Sequence, residues 1–64
     1  MNRRELEKHL RGHGCHLDHH GSRHDIWINP ANNKTAPIPR HRTVRRGTVR
    51  SICRGLDVPL PGGP

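Results

Sequence analysis

The stretch GSRHDIWINP, residues 21–30, decides the fold because it contains the strongest strand signal in this 64-residue chain. Its centre, Ile26 to Ile28, consists of β-branched and aromatic residues, which favour extended backbone. The Gly-Ser pair at its start favours a turn, and Pro30, which cannot donate to a strand ladder, ends it. We therefore predict a strand over residues 23–29 that follows directly on a turn.

Two weaker strand signals flank this segment. Residues 15–20 read CHLDHH, and the alternate positions Cys15, Leu17 and His19 are expected to form the buried face of a short strand. Residues 35–39 are few and contain two prolines, so they are predicted to form an edge strand. Three antiparallel strands joined by short turns is the simplest arrangement of these segments.

An amphipathic helix is predicted on each side of the strands. Asn2 and Glu5 have the spacing of a capping box, which predicts a helix over residues 3–11. The second helix is predicted over residues 47–56, because apolar residues recur there at helical spacing, namely Val49, Ile52, Cys53 and Leu56. The order α-β-β-β-α predicts an α+β fold in which two helices cover one face of a three-stranded antiparallel sheet, as in double-stranded-RNA-binding domains.

The charge balance points to a polyanionic partner. Lys and Arg number 12 against 5 acidic residues, which gives a formal net charge of +7 with the histidines neutral. Such a charge attracts nucleic acid, or an acidic protein that mimics it. No apolar run approaches the roughly 20 residues that span a bilayer, and the first ten residues do not resemble a secretion signal. We therefore expect no membrane association and a cytoplasmic location.

The cysteines and most histidines are interpreted as structural or surface residues. Cys15 and Cys53 form no CxxC pair and are predicted to be buried, reduced thiols. Six of the seven histidines fall between His9 and His24, and such a cluster invites a zinc site as an alternative. No recognised ligand spacing is present, so we predict no metal and no cofactor.

His24 differs from the other histidines because it begins the most apolar strand directly after a turn. A rigid strand would hold its imidazole beside a basic surface. Metal-free RNA cleavage needs a group that takes the proton of a ribose 2′-OH and cations that stabilise the phosphate. Imidazole titrates near neutral pH and can serve this purpose. From the residues alone, the alternative is a polar strand histidine without a role.

Three short motifs together resemble the HicA toxin family of bacterial toxin–antitoxin systems. They are GSRH before the hydrophobic strand, PRH at residues 39–41 and RGTVRSI at residues 46–52, and the likeness covers about residues 2–58. The resemblance implies a double-stranded-RNA-binding-like fold and a messenger RNA interferase that works without the ribosome and is blocked by a HicB antitoxin. It also implies that the family's active histidine corresponds to His24.

Two positions depart from the family pattern. Arg23 stands where the family turn often has a further histidine, and Asp25 stands where an apolar residue is usual. On a strand, the Asp25 side chain should point away from that of His24, so we assign it no role. The family-like domain is expected to comprise residues 1–58, and the Pro- and Gly-rich residues 59–64 are expected to form a flexible tail.

The sequence thus predicts a metal-independent endoribonuclease with His24 as the catalytic residue and messenger RNA as substrate. An open alternative is a small basic RNA- or DNA-binding module without chemistry, or a degenerate toxin that retains only antitoxin binding. Trp27 either fills the core or stacks an RNA base on the open sheet face. The residues predicted to contact RNA, mostly its phosphates, are Gly21, Ser22, Arg23, Lys34, Arg40, His41, Arg42, Arg46 and Arg50.

Overall fold

A three-stranded antiparallel sheet in the order β1-β2-β3 forms the centre of the computed structural model, which describes residues 1–62. The predicted α+β fold and the element order are confirmed. Each element begins and ends within one residue of its predicted bounds, and the elements are α1 (Arg3–Gly12), β1 (His16–His20), β2 (His24–Asn29), β3 (Lys34–Pro39) and α2 (Arg46–Leu56).

The start of α1 is capped as its sequence predicts. The Asn2 side chain accepts a hydrogen bond from the Glu5 backbone N–H at 2.8 Å, and its amide donates to the Glu5 carboxylate at 3.0 Å. Satisfying the free N–H groups of the first turn stabilises a short helix. The chain at Asn2 also forms a β-bridge to Thr43. The N-terminus therefore holds the connection between β3 and α2 in place.

The two faces of the sheet have different surroundings. On β2, the side chains of Asp25, Trp27 and Asn29 are buried on the side that the helices cover. Trp27 is only 1% exposed, so its interpretation as a core residue is confirmed and base stacking on the open face is wrong. The core comprises Leu6, Leu10, Cys15, Trp27, Ala36, Ile38, Val44, Val49, Ile52, Cys53 and Leu56, which come from both helices, two strands and the segments between elements.

The alternation predicted for the first strand is wrong at one point. The register of β1 shifts between Leu17 and His19, so Asp18 is an extra residue in a β-bulge. Leu17 lies opposite Trp27 on the covered face, whereas His19 lies opposite Ile26 and therefore faces the open side. The bulge also moves the next residue, His20, to the covered side of the sheet.

The predictions for β3 and for the two cysteines are confirmed. β3 lies at a sheet edge, as its prolines predict. Cys15 and Cys53 are buried free thiols, and burial raises the pKa of both. Of the predicted tail, Gly63 and Pro64 lie outside the described residues, while the Pro59 carbonyl accepts a hydrogen bond from His9. No helix among residues 1–62 is long and apolar enough to cross a membrane.

Candidate active site

The turn between β1 and β2 is tight and fixes the start of β2. The Gly21 N–H donates a hydrogen bond to the His24 carbonyl oxygen at 2.8 Å. A Cβ atom on residue 21 would lie 2.7 Å from this oxygen, closer than real Cβ contacts. Glycine is therefore required by space at this position. The turn holds the His24 backbone at the first position of the sheet's central strand.

His24 is exposed on the open side of the sheet and lies opposite Pro39 of the edge strand. There it borders a groove of about 810 Å³ between β3 and α2, which we call the β3–α2 groove. Its apolar wall includes Pro37 and Val44. The polar side chains that line it are those of His24, Thr35, His41, Thr43, Arg45, Thr48 and Ser51.

The β3–α2 groove is suited to an anion. Two imidazoles, one guanidinium and four hydroxyl groups line it, and no acidic side chain among residues 1–62 does so. Arg3, Arg11 and Arg40 form ion pairs with carboxylates. The other Lys and Arg side chains of the described region are exposed and form no ion pair, so the surface around the groove remains strongly cationic.

Asp25 lies behind the turn, on the opposite side of β2 from the His24 side chain. Its side chain is only 8% exposed, and its carboxylate contacts two guanidinium groups and one imidazole. Oδ1 accepts hydrogen bonds from His20 Nδ1 at 2.7 Å and from Arg40 Nε at 2.9 Å, and Oδ2 accepts one from Arg3. Hydrogen bonds from His20, Arg3 and Arg40 hold the pKa of Asp25 well below its usual range.

The structure brings only some of the predicted RNA-contact residues to the groove. Gly21, Ser22 and Arg23 form the turn that precedes His24, and Arg23 is exposed. His41 follows β3 and lines the groove together with His24. These residues share one end of the sheet.

The other predicted contact residues lie elsewhere. Lys34 begins β3 at the far end of the sheet, five strand positions or about 16 Å from the level of His24. Arg42 borders a hollow beside the start of α1. Arg46 and Arg50 line a different hollow on another side of α2. The guanidinium of Arg40 is engaged with Asp25 and the turn.

Sequence reasoning missed five polar groove residues, namely Thr35, Thr43, Arg45, Thr48 and Ser51. Thr48 and Ser51 are spaced by one helical turn and lie beside the apolar stripe of α2, so a helical projection would have placed them together. Arg45 is the N-cap residue of α2. Arg45 lines the groove and Arg46 does not, because α2 begins between them. No sequence signal fixes the first residue of a helix that closely.

The histidine cluster does not form a metal centre in the described part of the chain. No three His, Cys, Asp or Glu side chains among residues 1–62 are arranged so that they could hold a metal ion. The β1 bulge separates the strand histidines, because His16 and His19 face the open side while His20 contacts Asp25.

The lack of space for a side chain between residue 21 and the His24 carbonyl yields a prediction. Gly21→Ala is expected to lower the free energy of unfolding by about 1–3 kcal/mol, because the new methyl group displaces the His24 carbonyl and breaks the turn hydrogen bond. Thermal unfolding followed by circular dichroism measures this. Gly12→Ala, where a Cβ meets nothing within 4 Å, is the matched control and should leave stability unchanged or slightly higher. Equal losses in both variants would contradict the prediction.

Comparison with known families gives one finding. The family model described as "HicA toxin of bacterial toxin-antitoxin" matches residues 3–58. The matched region contains the turn, both groove histidines and the whole of α2. No curated protein and no solved structure matches the chain.

Proposed function

The chain belongs to the HicA toxin family of bacterial toxin–antitoxin systems, and on this basis we propose that it is a metal-independent endoribonuclease that cleaves messenger RNA. One observation supports this proposal above the others. The imidazoles of His24 and His41 line the same groove, and no carboxylate of residues 1–62 shares it with them. A general base, a general acid and a cationic surface are the groups that such a reaction requires.

In the proposed reaction, His24 takes the proton of a ribose 2′-OH. The 2′-oxygen then bonds to the adjacent phosphorus, and the bond from phosphorus to the 5′-oxygen breaks. His41 donates the proton that the leaving 5′-oxygen requires. The products are a 2′,3′-cyclic phosphate and a 5′-hydroxyl end. Arg45 stabilises the charge that develops on the phosphate oxygens.

The substrate is single-stranded RNA bound mainly through its phosphates. The only aromatic side chain apart from the histidines, Trp27, is buried, so no Trp, Phe or Tyr is available to stack a base. The groove instead offers cationic and hydroxyl groups to the RNA backbone. Such contacts depend on charge more than on base identity.

Membership of the family implies an antitoxin partner. We propose that this partner is a HicB-type protein whose acidic surface covers the β3–α2 groove in the cytoplasm. Opposite charges on the two proteins would steer their association. Binding would also stabilise a chain of this size, since a ligand of the folded state shifts the unfolding equilibrium.

The reaction chemistry tests this function. Purified protein incubated with end-labelled messenger RNA is expected to leave fragments with 2′,3′-cyclic phosphate ends, and an RNA whose 2′-OH groups are methylated should resist cleavage. Binding of both RNAs without cleavage of either would favour the non-catalytic module or the degenerate toxin. Fragments with 5′-phosphate ends would contradict the proposed chemistry.

The position of Arg45 yields a second prediction. Arg45→Gln is expected to weaken RNA binding and to reduce the slope of log affinity against log salt by about 0.7, the contribution of one phosphate contact on a single strand. Arg46→Gln removes the same charge from another side of the helix and should change the slope less. Titration in a His24→Ala background prevents cleavage during the measurement. Equal effects at positions 45 and 46 would contradict an RNA path through the groove.

A further inference from the structure

Asp25 and Arg40 occupy the space directly behind the turn that carries His24. Arg40 follows Pro39, which is the strand partner of His24, and its side chain returns toward β2. Its Nε donates to Asp25 Oδ1 at 2.9 Å, and its terminal nitrogens donate to the carbonyl oxygens of Gly21 and Ser22. One guanidinium thus connects a buried carboxylate to the carbonyl groups of the first two turn residues.

We propose that Asp25 and Arg40 form a positioning pair that holds the β1–β2 turn, and with it His24, in the orientation needed at the groove. The expected effect of this pair on RNA cleavage rests on the proposed nuclease function, whereas its effect on the turn does not. Neither side chain lines the β3–α2 groove, so both act through His24 and are not catalytic residues.

The turn gains side-chain support from Arg40. Its backbone makes one hydrogen bond of its own, from Gly21 to His24. The Gly21 carbonyl accepts a close hydrogen bond from Arg40, which the charge of the guanidinium strengthens, and the Ser22 carbonyl makes a longer contact of 3.5 Å with the same group. The planar guanidinium donates from three separate nitrogen atoms in a fixed arrangement, whereas an ammonium group has all of its donors on one nitrogen.

Asp25 in turn fixes Arg40. The Asp25 carboxylate is nearly buried, and Arg3 of α1 binds its other oxygen. Arg3 also donates to the Pro39 carbonyl at 3.1 Å, which is one residue before Arg40. The network therefore connects α1, the turn and the segment that leads to His41. Both groove histidines are adjacent in sequence to a member of this network.

A direct phosphate contact is the competing role for Arg40, and Arg40→Lys separates the two roles. Lysine retains the positive charge, which is sufficient for a phosphate contact. Its single nitrogen cannot take the places of the three guanidinium nitrogens that contact Asp25 and the two turn carbonyls. A positioning role predicts that Arg40→Lys loses turnover but retains RNA affinity, whereas a phosphate role predicts that it retains both.

The first measurement is the kinetics of RNA cleavage. We expect Arg40→Lys to reduce kcat by about 10- to 100-fold, the effect of a small misplacement of a catalytic group, while KM changes less than about twofold. Arg54→Gln, which removes an exposed charge on α2, is the control and should match the wild type. Wild-type kcat in Arg40→Lys together with a raised KM in Arg40→Gln would overturn the proposal.

A second measurement does not depend on nuclease activity. Hydrogen exchange of the Gly21 amide, which donates to the His24 carbonyl, reports directly on the turn. In Arg40→Lys we expect this exchange to be at least about 10-fold faster, while the amide of Ile52 in the core of α2 exchanges as in the wild type. If the wild-type protein cleaves no RNA, the nuclease proposal fails, and this exchange rate still decides the positioning role. Unchanged exchange at Gly21 would overturn it.

Discussion

Replacing His24 with alanine is expected to lower kcat for RNA cleavage by about 10²–10⁴-fold, the range of a general acid or base. The reason is its place in the structure. His24 is held by a turn in which only glycine fits at position 21, and its exposed side chain shares the β3–α2 groove with His41. Initial rates on a labelled messenger RNA measure the effect, and circular dichroism establishes that the variant is folded.

His16 provides the matched control for this experiment. It is also an exposed strand histidine on the open face of the sheet, but it lies opposite Ile28, four strand positions or about 13 Å from the level of His24. His16→Ala should cleave RNA at nearly the wild-type rate. His24→Ala should still bind RNA, because phosphate affinity comes from the Arg and Lys side chains. Loss of binding together with cleavage would instead assign His24 a binding role.

The second large effect is expected on stability. Asp25→Asn should lower the free energy of unfolding by about 3–5 kcal/mol, because it removes the nearly buried charge that pairs with Arg3 and Arg40 and leaves Arg3 with Glu7 as its one carboxylate partner. A chain of this length has a total stability on the order of 3–10 kcal/mol, so much of the protein is expected to unfold. Urea denaturation followed by circular dichroism measures the difference.

The pH dependence of this loss has a definite sign. The pKa of Asp25 is lowered in the folded state, so its network contributes fully above about pH 4, the ordinary pKa of an aspartate. Its contribution is lost as the pH falls through the lower folded-state pKa. The part of the stability difference between wild type and Asp25→Asn that comes from the Asp25 charge should therefore be fully present above about pH 4 and should shrink as the pH falls further.

Asp18 supplies the control for Asp25. It is 44% exposed and pairs only with His19 at the surface. Exposed ion pairs contribute little, so Asp18→Asn should change the free energy of unfolding by less than about 1 kcal/mol. Similar losses from Asp18→Asn and Asp25→Asn would contradict the view that burial makes the Asp25 network important.

Local signals in the sequence were sufficient to predict the elements. The β-branched residues around Trp27, the cap at Asn2 and the apolar spacing of the second helix each act within a few residues. Their bounds in the structure agree with the predictions to within one residue. The turn before His24 was also predictable, because its glycine is required by a contact only three residues away.

Contacts between distant residues were not predictable from the sequence. The bulge at Asp18 moves His20 onto the covered face, and this contradicts simple alternation. Asp25 was assigned no role because its side chain points away from His24. Its partners Arg3 and Arg40 are 22 and 15 residues away in the chain and meet it only after the helices and strands have packed. Charge patterning alone cannot reveal such a network.

The sequence predicts the cationic surface but does not predict which arginines line the groove. Net charge predicts a cationic surface, and the surface is cationic. Which arginine lines the groove depends on where each one lies around the start of α2. Arg46 and Arg50 form a regular stripe in the sequence, yet they face another hollow. The less conspicuous Arg45, at the helix N-cap, lines the groove with His24.

The most direct test of the central claim is RNA cleavage in the presence of EDTA, with wild type and His24→Ala compared at equal concentration. The account predicts that the wild type cuts messenger RNA without a divalent metal and that the folded His24→Ala protein binds the RNA but does not cut it. Cleavage that requires metal, or equal cutting by the two proteins, would contradict it. Binding by both proteins without cutting by either would leave a basic RNA-binding module as the better description.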